Sequence, residues 1–303
     1  MTPSPPWLQR PSKAHHRLHW GRFKGQILAV IGGEACFLFL GIYLNEITYF
    51  VAGAALVLIG YFFWVRRRRL RDLLINQEAV QLIGTGDYDQ AALLLDKLCR
   101  HPNNGSTLAV FLTNRATTAL CLGQFDIALP IYHEVLRAER GVARGVFKLQ
   151  GDLFRARCAD ALAFYGELEA AEAMLTAPTT SPRRTLEGHQ LLARTVIDAR
   201  RGEWEAARVR LISQWGAAEA VYSATELKAL VVVRAFVFAQ TTLASEPADP
   251  IIATLQPEDI NRSRWMGTHW TEIADFLNQY PQTSASFSPE SASLKSFIKN
   301  IND

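Results

Sequence analysis

The side chains through which this sequence could do metal or nucleophilic chemistry are seven histidines and four cysteines. His15, His16 and His19 lie close enough in the N-terminal tail to share a metal ion. They sit among Arg10, Lys13, Arg17, Arg22 and Lys24, and a positively charged tail is the simpler reading. His101, His133, His189 and His269 are scattered, and neither H-E-x-x-H nor G-x-S-x-G occurs. Cys36, Cys99, Cys121 and Cys158 show no C-x-x-C spacing, so they read as small buried apolar residues of a reducing compartment. Gly84-x-Gly86 lacks the third glycine and the preceding strand of a phosphate loop. The sequence therefore predicts no catalytic constellation, no metal and no cofactor.

One further residue is chemically out of place. Glu34 falls near the middle of an apolar stretch, residues 26–44, and a second apolar stretch, 47–65, follows after only Asn45-Glu46. Each is close to the about 20 residues a membrane-spanning helix needs. A cleaved signal peptide fits poorly, because the second stretch follows at once with no small-residue cleavage site. An acid at mid-membrane costs roughly 2.5–3.5 kcal/mol, and the second stretch offers no base to pair with it. Three readings of Glu34 stand: a protonated carboxyl bonded to backbone or to a second copy, contact with another membrane protein, or a proton relay. Ala29-x-x-x-Gly33 beside it would permit close helix packing.

The elements that hold these residues follow from charge. Residues 1–71 carry ten Lys/Arg against Glu34 and Glu46, or +8; the remainder carries 22 basic and 27 acidic residues, or −5. The basic collar Arg66, Arg67, Arg68, Arg69 and Arg71 closes the second stretch. With both flanks basic, the positive-inside rule places both ends in the cytoplasm, Trp20 and Trp64 marking the inner boundary and Tyr43 and Tyr49 the outer turn. Anionic lipid is the expected partner of the collar and tail; the acidic remainder argues against nucleic acid.

Beyond the collar a pattern recurs: Gly, polar, large apolar, acidic, any, Ala. It begins at Gly86, Gly123, Gly166 and Gly202, at spacings of 37, 43 and 36 residues. A small residue stands seven positions before each glycine: Ala79, Ala116, Ala159 and Thr195. The physics is that of stacked helix pairs. Gly ends the first helix, the large apolar residue fills the corner, the acid opens the second helix, and Ala lets the two cross closely. The longer spacing before the third pattern predicts an insertion around residues 141–150.

Residues 72–215 resemble the tetratricopeptide repeat family, whose period is 34 residues. The first repeat matches through Ala79, Leu82, Gly86, Tyr88, Ala91, Leu95, Leu98 and Pro102, the second through Asn114, Ala116, Gly123, Phe125, Ala128 and Tyr132. The resemblance implies a groove lined by first helices that takes a peptide. By position that groove would present Asn76, Val80, Thr113, Asn114, Thr117, Arg157, Asp160, His189 and Val196. The family's paired Lys/Asn clamp for a C-terminal carboxylate is absent, since Asn76 and Val80 occupy its first-repeat positions. Arg157 could bond an acidic partner side chain or pair with Asp160 on the surface.

The expected fold is all-α: a transmembrane helical hairpin followed by a tetratricopeptide-like α-solenoid with C-terminal capping helices. The expected parts are a basic cytoplasmic tail (1–25), the hairpin (26–65), the collar (66–71), the repeats (72–245), capping helices (246–280) and a loose tail with a short amphipathic helix (281–303). A further helix is expected over 225–243. Trp265, Trp270, Ile273, Phe276 and Leu277 share helical spacing and are expected to seal the end of the repeats. The last helix could dock in the chain's own groove, on a partner, or on nothing. Three functions are open: a membrane-tethered scaffold for a protein partner, a subunit of a membrane complex for secretion or envelope assembly, or an enzyme. Self-association through the hairpin is compatible with the first two. A bacterial inner-membrane location is expected, and the layout also resembles the HemY-type bacterial membrane proteins linked to haem biosynthesis.

Overall fold

The computed structural model describes residues 32, 47–100, 105–137, 144–177, 182–241 and 249–280. Eleven α-helices and two 3₁₀ turns make up these residues, with no strand among them. The first helix, α1, runs unbroken over Ile47–Thr85, 39 residues and about 58 Å. The expected second span, collar and first repeat helix are thus one element. The first expected span and Glu34 lie outside the described residues apart from Gly32, as do the tail helix after residue 280 and the side chains of 47–52 and 54. Among the described residues no helix is long and apolar enough to cross a membrane.

Four helix pairs follow one plan. The end of α1 pairs with α2 (Tyr88–Arg100), α3 (Gly105–Cys121) with α4 (Phe125–Arg137), α5 (Arg144–Tyr165) with α6 (Leu168–Leu175), and α7 (Arg183–Arg200) with α8 (Trp204–Glu219). A ninth helix, α9 (Ala224–Thr241), closes the series. Each first helix packs on its own partner and on the next first helix: α1 on α3, α3 on α5, α5 on α7, α7 on α9. Each second helix packs on the first helix that follows it. This is a helical-repeat-like all-α fold.

The corners explain the sequence pattern. Gly86, Gly123, Gly166 and Gly202 have φ of +88°, +70°, +113° and +77°, which a side chain would oppose. After each, the next amide donates to the carbonyl five residues back: Asp87 to Leu82 at 2.9 Å, Gln124 to Ala119 at 2.9 Å, Glu167 to Leu162 at 3.0 Å, Glu203 to Asp198 at 2.9 Å. These bonds satisfy carbonyls that the helix end leaves open. Asp89, Asp126, Glu169 and Glu205 stand in the first turns of the second helices. The small residues before and after the corners, Ala79, Ala116, Ala159, Thr195, Ala91, Ala128, Ala171 and Ala207, are all fully buried. The long third spacing becomes a longer helix: α5 has 22 residues where α3 has 17.

The C-terminal part departs from the expected cap. Asp249 accepts the amides of Ile251 and Ile252 at 2.8 and 3.3 Å and opens a 3₁₀ turn, Ile252–Thr254. Then come α10 (Pro257–Arg262), a 3₁₀ turn Arg264–Gly267 and α11 (Thr271–Asn278). Trp265 and Trp270 therefore stand on separate elements, not on one helical face. This segment runs back across the repeat corners. Arg262 donates to the carbonyl of Gly84 at 3.4 Å, and Thr268 lies against Gly123. Trp265 packs on Phe125 and Phe164, and Trp270 on Phe164 and Phe236.

Candidate functional site

The polar residues expected on the first helices form a connected row in the structure. Asn114 of α3 donates its amide to Asn76 of α1 at 2.9 Å. Thr117 bonds the Tyr132 hydroxyl at 3.0 Å and donates to the Thr113 carbonyl at 3.0 Å. Thr113 is itself buried and donates to the Ala109 carbonyl at 2.8 Å, so it supports the helix rather than facing a partner. Val196 is wholly buried, whereas Val80 is 46% exposed.

Arg157 of α5 is the centre of the row. Its guanidinium pairs with Glu226 of α9, lies 3.5 Å from the Asp160 carboxylate, and stacks over the Tyr222 ring at 5.1 Å. Tyr222 in turn donates to the His189 carbonyl at 3.1 Å. The Arg–Asp pair is thus buried, not solvated as the surface alternative supposed: Asp160 is 2% exposed. Neither Asp160 oxygen reaches a donor in hydrogen-bonding geometry, and the same holds for the buried Nδ1 of His189. Burial pushes the Asp160 carboxyl up to about 7 against the pull of Arg157. Burial, with Arg157 nearby, holds the His189 imidazole below its ordinary value.

Tyr132, Tyr222 and Glu226 belong to this row and were not expected there. Glu226 had a readable signal, because Ser223-x-x-Glu226 is a capping box. Its carboxylate accepts both the amide and the hydroxyl of Ser223 at 2.8 Å while it pairs with Arg157. One carboxylate therefore anchors α9 and occupies the one guanidinium on which an acidic partner group was expected. What stays half-open along the row is the Asn76–Asn114 amide pair, His189 and the outer edge of Glu226, a set suited to hydrogen-bonding a peptide rather than to bond cleavage.

The remaining candidates lie apart. His133 is exposed on α4, and His269 packs edge-on against Phe125 at 5.0 Å. Burial pushes the thiols of Cys99, Cys121 and Cys158 up to about 12, so they stay protonated and poorly nucleophilic. Among the described residues no group of three His, Cys, Asp or Glu side chains is arranged to hold a metal. The collar is on the outside of α1: Arg66, Arg67, Arg69 and Arg71 are exposed, and Arg68 lies over the Trp64 ring at 5.7 Å.

The second face of interest is the row of corners. Phe125, Phe164 and Phe236 project from successive pairs, and residues 257–280 of the chain itself cover them. Arg200 locks the cover by donating to the carbonyls of Ala163, at 3.3 Å, and His269, with Trp270 stacked 5.1 Å away. No family model matches the chain, and neither a curated protein nor a solved structure is found similar to it.

Proposed function

We propose that the chain is a membrane-anchored scaffold. In this reading the hairpin, residues 26–65, holds a tetratricopeptide-type α-solenoid at the cytoplasmic face, where its first-helix surface binds a protein partner. The observation that carries the reading is the first half of α1. Leu56, Leu58, Ile59, Phe62, Phe63 and Trp64 are all half exposed or more, on every side of the helix. Each would gain about 1.5–3 kcal/mol from an apolar surrounding. Residues 47–64 contain no charged side chain, and the arginine collar follows at once. Lipid around residues 47–65 with headgroups at the collar satisfies both.

The repeat reading is supported by the four identical corners and by first helices that stack only on their neighbours in the chain. Partner binding is assigned to the Asn76–Asn114–Glu226 side, because residues 257–280 already cover the corner side. The test is a photo-crosslinking amino acid placed at Asn114, with the exposed Leu93 of α2 as control, in membranes of the native cell. A discrete protein adduct at Asn114 and none at Leu93 supports the reading; equal or absent adducts at both positions contradict it.

A further inference from the structure

The helix α1 keeps one face bare well beyond the stretch assigned to lipid. On the repeat side of the collar Leu70, Leu73 and Leu74 are 52%, 52% and 55% exposed, and Val80 is 46% exposed. These side chains sit in the aqueous half of the helix, where lipid cannot cover them. Leu70, Leu73, Gln77 and Val80 are spaced 3, 4 and 3 residues apart, the alternation of a two-helix seam. The same register extends back through the collar at Arg66 to Phe63, Ile59 and Leu56, all exposed. The opposite face of α1, through Ala79, Ile75 and Ile83, packs into the repeat core.

We infer that this face is a seam on which α1 of a second copy of this chain lies parallel. The inference rests on the membrane reading above, which also selects the occupant. The seam runs about 36 Å from residue 56 to residue 80, on both sides of the collar. A tail segment or a soluble protein reaches only the aqueous part, and the chain's first span reaches only the lipid part. A helix that crosses the collar in the same register covers both, and a second α1 anchored in the same membrane has that direction and length. Two-fold pairing of parallel copies brings each residue of the seam opposite itself. Gln77 then meets Gln77 of the other copy, a polar pair in the seam that fixes register. Arg66 meets its counterpart at headgroup depth, where anionic lipid offsets the like charges.

Disulfide trapping in native membranes tests this on the full chain. A disulfide requires Cβ atoms about 3.5–4.5 Å apart, so only seam positions cross-link between parallel copies. Mild oxidation is expected to convert Leu73→Cys and Val80→Cys to a product of twice the chain mass. Arg71→Cys, exposed but off the seam, stays monomeric, as does the unsubstituted chain. All three substituted positions are exposed, so folding is not at issue. Equal trapping at position 71, no trapping at 73 and 80, or a product of any other mass overturns the inference. The same samples extracted with alkaline carbonate report on the anchor separately. Trapped dimer that extracts keeps the seam and sinks the membrane reading, whereas monomer that stays in the pellet sinks the seam alone.

Discussion

Leu56, Phe62 and Phe63 in the first half of α1 are 67%, 65% and 62% exposed, while Ala79, one face and four turns further on, has no exposure at all. The two regions share one helix and one backbone geometry. What separates them is whether other elements of the chain close over them: α2 and α3 pack against the end of α1, and the core runs on through Phe111, Phe154 and Phe236. The first half is a rod built for surroundings the chain does not supply. The second half is the first member of a stack that supplies its own. Because no loop divides them, whatever fixes the rod also fixes the orientation of the stack.

Substitutions should sort by region, beginning with the largest. Trp270 is 4% exposed between Phe164, Phe236 and Arg200, so Trp270→Ala is expected to cost about 3–5 kcal/mol in denaturant unfolding. A cost under 1 kcal/mol would mean that residues 257–280 do not hold the corners together. Gly188 comes next: a Cβ there would stand 2.4 Å from the Ala217 carbonyl oxygen, where α7 and α8 cross. Gly188→Ala should lower stability by about 1–3 kcal/mol through overpacking.

Asp160 gives the body a pH dependence. Its pKa is raised from an ordinary 3.8 to about 7, so the folded state holds the proton more tightly than the unfolded state does. The resulting stabilisation is complete below about 3.8 and is lost as pH rises through 7. His189, whose pKa is depressed, acts the other way: its contribution is present above 6.5 and is lost on further acidification. Asp160→Asn should flatten the decline in melting temperature between pH 5.5 and 8, removing about 1–3 kcal/mol of the change. An undiminished slope would locate the dependence elsewhere. Smallest of all, Phe62→Lys in the rod should leave the unfolding of the repeats within about 0.5 kcal/mol of the parent. A larger loss would mean that the rod packs against the body.

The repeat corners were legible because each carries a local rule: a glycine forced to positive φ, an acid at a helix start, an alanine at a crossing. Four copies of that rule located the helix pairs from the sequence. The course of residues 249–280 was not legible, because Arg262 finds Gly84 and Arg200 finds His269 through separations of 178 and 69 residues that no local pattern encodes. The polar row was partly legible. Spacing placed Asn76, Asn114 and Arg157 on first helices, but burial of Asp160 and the claim of Glu226 on Arg157 depend on how α5 meets α9. The unbroken passage from rod to body was also hidden, since an arginine run reads as a boundary although Arg is a good helix former.

The central claim is that the rod is held in a membrane. Alkaline carbonate extraction of native membranes, followed by flotation of the full chain, tests it most directly. The account predicts that the protein stays with the lipid after extraction and floats with it. Release of the protein into the alkaline supernatant would contradict it.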